Sequence, residues 1–167
     1  KWIYKHLSER LAGGRRREAL LKFGILIHDI GKPITRIEDE EGRLKFTWHE
    51  RIGSDIAGEI ARRLKLSSKE IDILRKLVRG HMYPLHLSLA EDLIANESEL
   101  SSSKAIARFG RKMGKESLDI ILLSLADGEA TKGPLVKEEV RKRHRLLAKG
   151  VIAYCYEMEN KKDKFPK

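Results

Sequence analysis

Apolar residues recur along this chain at helical rather than strand spacing, almost from end to end. A first run over residues 1–11 should close at Gly13-Gly14, residues suited to leaving a helix. From Arg15 the string RRREALLKFGILIHDI sets Leu20, Leu21, Phe23, Gly24, Ile25, Leu26 and Ile27 nearly all round a helix, which predicts a central, buried element ending at Gly31 and Pro33. In the loop that follows, Glu41-Gly42 suits the turn of a small hairpin near residues 36–48, between IEDE and RLKFTW. Ile52, Ile56, Ile60 and Leu64 then return every four residues and predict an amphipathic helix. Ser67-x-x-Glu70 reads as a capping box that opens a helix through Leu74, Leu77 and Val78, stopping at His81 ahead of Pro84. Ser88-x-x-Glu91 is a second such signal. Ser101, Ser102 and Ser103 lead into KAIARFGRKMG, closed by Gly114, and KESLDIILLSLAD is another strongly apolar helix. Pro134 suits the first turn of a last amphipathic run reaching about Asn160. The prediction is an all-α chain, an irregular bundle of about seven or eight helices, with no βαβ alternation of the kind that builds a nucleotide-binding sheet.

Composition narrows the class. A chain of 167 residues suits a single domain, and one of this size buries about two-thirds of the surface it exposes unfolded. Its 41% hydrophobic and 36% charged residues are those of a globular protein. No apolar run approaches the roughly 18 to 20 residues needed to span a bilayer, and KWIYKHLSER lacks the apolar centre of a signal peptide, so a cytoplasmic location without membrane partners is expected. Cys155 is the single cysteine and reads as a core thiol, which excludes an internal disulfide and a CxxC site. The net charge of +10 favours polyanions such as nucleic acid, RNA among them, or anionic membrane surfaces. The absence of Gln, the two Asn and the wealth of Lys, Arg and Glu are a bias of proteins that work hot. A first residue that is Lys, and an end at KDKFPK, lead us to expect a piece of a longer multidomain protein.

Four segments place His or Asp at helix ends: His28-Asp29, His49, His81 and Asp127. Separations of 21, 32 and 46 residues are too long for one helix face, but ends of different helices can converge. A mixed imidazole and carboxylate set suits first-row divalent metals, and Asp29, with two oxygens, is the natural bridge if two ions bind. Taken singly, His81 can be a helix-end residue favoured by the dipole, Asp127 an ordinary polar residue before Gly128, and His49 a surface partner of Glu50. His28-Asp29 differs, because it follows the otherwise apolar turn LKFGILI, where an unpaired charge is costly to bury.

The strings LIHDIGKPITR, FTWHERIGSDIAGEIARRL, KLSSKEI, LVRGHMYP and SLADGEATKG together resemble the HD domain of bacterial CCA-adding enzymes and the related poly(A) polymerase family. The resemblance runs from about residue 15 to about residue 135, and the ordered series HD, His-Glu, His-Met-x-Pro and Asp carries it. It implies an all-α, metal-dependent phosphohydrolase fold in which His28, Asp29 and Asp127 match metal ligands, with His49 and His81 matching the further histidines of two-metal members. The metal, Mg, Mn, Ni, Co, Fe or Zn, is left open. Lys32, at the end of HD-x-x-K, matches a residue facing the substrate phosphate, beside the alternative of a solvated lysine, so Asp29 and Lys32 are the catalytic candidates. The family's further histidine on an earlier helix is expected upstream of Lys1, since KHLSERLAGG, with His6, resembles the segment that follows that helix.

The resemblance implies a divalent-metal phosphohydrolase domain acting on phosphomonoesters or 2′,3′-cyclic phosphates, with a nucleotidyltransferase domain upstream in the parent chain. No Gly-Ser turn with paired aspartates on a strand occurs, so this chain should not itself add nucleotides. The alternative is a non-catalytic helical platform that holds tRNA or RNA 3′ ends for that neighbour. Nucleotide hydrolysis as in dNTP-cleaving members is a third reading, without an identifiable base pocket to support it. Arg15, Arg16 and Arg17, and Arg141, Arg143 and Arg145, are the candidate RNA contacts, beside the reading as solvated helix faces. His86 and His144 read as ordinary residues, and Trp48 as packing rather than base stacking.

Overall fold

The computed structural model describes residues 1–89, 103–131 and 138–164, and the chain divides into two compact units, Lys1–His81 and Met82–Lys167. The chain is all-α. Among the described residues six helices run eleven residues or more, slightly fewer than expected, with shorter helices between them and one hairpin of two strands.

In the first unit, α1 spans Trp2–Leu7, shorter than the predicted run to residue 11. A tight loop takes over, in which Arg10 and Arg16 pair across a bridge and Leu11 N–H donates to the Arg15 carbonyl at 2.8 Å. Helix α2, Arg17–Ile27, does not bury its whole circumference. Arg17, Leu20, Leu21, Gly24 and Ile27 face the core, whereas Leu26 is 81% exposed. Two single-turn features follow, α3 at Lys32–Thr35 with Pro33 in its first turn, and the hairpin β1 Arg36–Glu38 with β2 Leu44–Phe46. The strands pair antiparallel, Arg36 opposite Phe46 and Glu38 opposite Leu44, as the Glu41-Gly42 turn predicted. Asp39 closes the turn by accepting from the backbone N–H groups of Glu41 and Arg43.

Helix α4, His49–Arg63, is the helix that the four-residue spacing predicted. Its buried stripe is Gly53, Ser54, Ala57, Gly58 and Ala61, and the isoleucines at 52, 56 and 60 flank it, half-buried, while Leu64 is exposed. Small residues win because α5, Ser68–Gly80, lies close: a Cβ added at Gly53 would stand 3.2 Å from Val78 Cγ1. Helix α5 opens as expected. Ser67 Oγ accepts from Glu70 N–H, while Glu70 Oε2 accepts from Ser67 N–H at 2.8 Å, completing the capping box. Glu70 is fully buried and also receives the Arg15 guanidinium at 3.2 Å, which ties the loop ahead of α2 to the start of α5. Burial alone would raise its carboxyl pKa, but the Ser67 and Arg15 hydrogen bonds outweigh this and hold it below the ordinary value.

In the second unit, α6 covers Tyr83–Leu89, α7 Ser103–Met113, α8 Ser117–Ala130 and α9 Glu138–Lys164. A 3-10 turn from Gly114 to Glu116 joins α7 to α8. Ser88 does not cap a helix. It lies inside α6 and donates to the Pro84 carbonyl at 2.9 Å, while Glu91, Ser101, Ser102 and Pro134 lie outside the described residues. Helix α8 is the element buried nearly all round, with Leu118, Ile120, Ile121 and Leu123 at 2% exposure or less. Against it α9 sets Leu147, Ala148 and Val151, and His144 reaches Ser124 Oγ across the same contact at 3.0 Å. Among the described residues no helix is long and apolar enough to cross a membrane.

Candidate metal centre

The ends of three helices in the first unit meet at one point. His28 caps the C-terminus of α2, with Asp29 next in the bend to α3; His49 is the first residue of α4; and His81 caps the C-terminus of α5. Each imidazole is held the same way. Nδ1 of His28 donates to the Ile25 carbonyl at 2.7 Å, that of His49 to Phe46 at 2.8 Å, and that of His81 to Val78 at 2.7 Å. A carbonyl oxygen only accepts, so Nδ1 carries a proton in each ring, and in a neutral ring Nε2 then holds the lone pair that can ligate.

Those Nε2 atoms converge on one carboxylate. Asp29 Oδ2 lies 3.3 Å from His28 Nε2, and its Oδ1 lies 3.4 Å from His49 Nε2 and 3.7 Å from His81 Nε2. His28, Asp29 and His81 offer ligand atoms that all fall within 4.8 Å of one another. His49 Nε2 and His81 Nε2 stand only 3.2 Å apart. With both Nδ1 protons committed to carbonyls, this is no ordinary hydrogen bond but two lone pairs facing each other, an arrangement that a cation between them relieves. The C-terminal ends of α2 and α5 add the negative poles of two helix dipoles. The donor set therefore fits a divalent cation, imidazole nitrogens with a carboxylate, without selecting which.

The electrostatics agree. Burial is the largest influence on His81 and pulls its pKa down to about 4, against the Val78 hydrogen bond, so the ring is neutral and able to ligate at neutral pH. Burial would raise Asp29, but His28, when its Nε2 also carries a proton, and the Lys32 ammonium outweigh it and hold the carboxyl well below the usual range. Lys32 Nζ donates to Asp29 Oδ2 at 2.5 Å and keeps part of its surface in solvent, which puts an ammonium on the open side of the cluster.

A pH dependence follows. The lowered His81 value means the unfolded chain takes up a proton first, so stability in the absence of metal is full above pH 6.5 and declines as pH falls toward 4. The depressed Asp29 value acts in the same direction at lower pH. Between pH 7 and pH 5 His81 alone should cost about 2 kcal/mol. Urea unfolding at the two pH values should show this loss, and His81→Gln should remove most of it; equal slopes in the two proteins would refute the assignment.

Of the five residues expected to ligate, four meet here. The fifth, Asp127, lies in the second unit, in the last turn of α8, where its main-chain carbonyl accepts from Thr131. His6 sits in the last turn of α1 and is not one of the three residues that share the 4.8 Å cluster.

The basic runs are largely committed within the protein. Arg17 is 3% exposed and pairs with Glu9 at 3.0 Å, so it offers no head group to a phosphate. Arg15 holds Glu70, Arg141 donates to the Thr131 carbonyl, Arg143 to the Glu139 carbonyl, and Arg145 bridges Glu129 and Glu138. Arg16 is exposed.

Two residues read otherwise in sequence stand out. Trp48, expected to pack, is 58% exposed, a fact that local pattern does not carry. His144 is buried and its pKa is lowered, by burial first, which makes it a neutral link between α8 and α9.

Comparison with known proteins matches this arrangement. The HD domain model covers residues 3–132. An A-adding tRNA nucleotidyltransferase of Deinococcus radiodurans is 34% identical over 142 residues, 83% of this chain and 30% of that protein. A CC-adding tRNA nucleotidyltransferase of Thermus thermophilus is 32% identical over 113 residues, 67% of this chain and 23% of that protein. A bifunctional uridylyltransferase/uridylyl-removing enzyme of Mycobacterium tuberculosis is 31% identical over 166 residues, 89% of this chain and 18% of that protein. The chain thus spans less than a third of the length of these relatives. On the HD doublet, the converging histidines and these matches together, the chain belongs to the HD domain family.

Proposed function

We propose that this chain is a divalent-metal-dependent phosphohydrolase domain that acts on phosphomonoesters or 2′,3′-cyclic phosphates such as those at RNA ends. We read it as one HD-type domain of a longer cytoplasmic protein, with a nucleotidyltransferase domain upstream and tRNA or RNA 3′ ends as partners. The observation that carries the reading is the facing pair of Nε2 lone pairs on His49 and His81, 3.2 Å apart above Asp29.

His28, Asp29, His49 and His81 would hold the ion, and a divalent cation bound there would supply Lewis acidity toward water and toward a phosphoryl oxygen. The residues do the rest. The Ile25, Phe46 and Val78 carbonyls orient three rings before any ligand arrives, so little reorganisation is left for binding. Burial keeps His81 neutral. Lys32, the cation on the open side, is the group to meet the non-bridging phosphoryl oxygens, where charge builds as phosphorus is attacked.

The test is hydrolysis of 2′,3′-cyclic AMP and 3′-AMP by the purified protein with Mg, Mn, Ni, Co or Zn restored after chelation. Turnover that appears with one of these ions and vanishes with EDTA is the expected result. The net charge of +10 and the tRNA-processing relatives favour a second reading, the non-catalytic platform for RNA. No turnover with any ion, together with tRNA binding that weakens steeply as salt rises, would replace the first reading with the second.

A further inference from the structure

The turn between β2 and α4 does more than deliver His49. Trp48 occupies it in the left-handed region, φ 66 and ψ 14, a conformation that is a genuine outlier for a bulky side chain and that Gly or Asn takes far more readily. The turn itself has a clear purpose. It lets the Trp48 carbonyl start α4 by accepting from Arg51 and Ile52 N–H at 3.0 and 3.2 Å, and lets His49 Nδ1 fold back onto Phe46. None of this needs an indole. Nor does burial, since the ring is 58% exposed.

One cation lies against the ring. The Arg51 guanidinium lies 4.9 Å from the Trp48 ring centroid. Two residues earlier, Lys32 Nζ sits 5.7 Å from the Phe46 ring while donating to Asp29 Oδ2. The same short segment therefore carries an exposed indole, an arginine stacked on it and, one residue on, a group of the metal cluster, and consecutive Cα atoms are about 3.8 Å apart. In a nucleotide a base and its phosphate are likewise separated by one sugar.

We infer that Trp48, backed by Arg51, is a stacking platform for the base of a nucleoside phosphate whose phosphate lies at the His28, Asp29, His49 and His81 cluster. The inference rests on the phosphohydrolase reading and narrows its substrate class: a phosphate ester carried on a nucleoside, bound without demand for one base, because every base presents an aromatic face. Trp48 is on this account a substrate-binding residue that sets preference.

The experiment uses Trp2→Phe protein, in which Trp48 is the one remaining tryptophan of the two in the chain, with Mg present. Titration with 3′-AMP should quench its emission, and glycerol 2-phosphate, which has no base, should quench far less. Trp48→Asn, which suits the left-handed turn, should cut the preference for 3′-AMP over glycerol 2-phosphate about tenfold, measured by calorimetry. Its thermal midpoint should hold or rise, because backbone strain is relieved, and Trp48→Phe should keep most of the preference. A preference untouched in Trp48→Asn overturns the platform and leaves the phosphate site standing. A fall in thermal midpoint that accompanies the loss of preference assigns the ring a structural role and overturns it as well. Wild-type protein that binds neither compound overturns both the platform and the phosphohydrolase reading beneath it.

Discussion

Replacing Asp29 with Ala should abolish divalent-metal-dependent hydrolysis of a 2′,3′-cyclic nucleotide while the chain still folds. Asp29 is the carboxylate on which three Nε2 atoms converge, and its removal leaves neutral imidazoles to hold a dication. Loss of mere outer-sphere partners costs metal sites about 10- to 100-fold, so loss of this group should exceed about a hundredfold in metal affinity and in turnover. Folding is another matter. The histidines disfavour charge on one another, but Asp29 is the counter-charge to Lys32, so its removal should lower stability modestly rather than raise it. The helices around it are built on Leu20, Leu21, Leu74 and Leu77, which do not touch the charge balance, and helical circular dichroism should persist. Undiminished turnover in Asp29→Ala would place the activity elsewhere.

Gly31→Ala should be strongly destabilising. Its backbone, φ −79 and ψ −15, is one that any residue adopts, so the constraint is space alone. A Cβ there would stand 2.2 Å from the His49 carbonyl oxygen and 2.7 Å from Gly53 N. Both are main-chain atoms of α4 and neither can turn aside, so α3 and the start of α4 must separate. We expect a loss of about 3 kcal/mol in urea unfolding. Because the strain falls on His49, metal affinity should fall with it, even at temperatures where the variant is folded. A variant with an unchanged midpoint and unchanged affinity would show that the two segments are less tightly joined than these distances require.

Sequence carried much of this. Periodicity, the capping box at Ser67 and the glycines marked helix after helix, because those signals act within a few residues and need no partner. The hairpin turn was legible for the same reason. So was the candidate metal set, since His28, Asp29, His49 and His81 fall at helix ends whose order along the chain is itself a motif.

Which face of each helix turns inward was decided only by tertiary packing. The isoleucines of α4 announce a core face by their spacing, yet Gly53, Ser54, Ala57, Gly58 and Ala61 take it, because closeness to α5 is worth more there than apolar bulk. Leu26 reads as core and lies in solvent, while Arg17, a candidate RNA contact or solvated residue by sequence, is buried against Glu9, and the capping-box Glu70 is buried against Arg15. The same holds for the site. Sequence names five residues that can bind a cation, but the 3.2 Å between His49 and His81 exists only once separate helix ends are brought to one place. Local signals determine where an element begins and ends; which atoms meet is a property of the packed chain, because it depends on contacts between residues far apart in sequence.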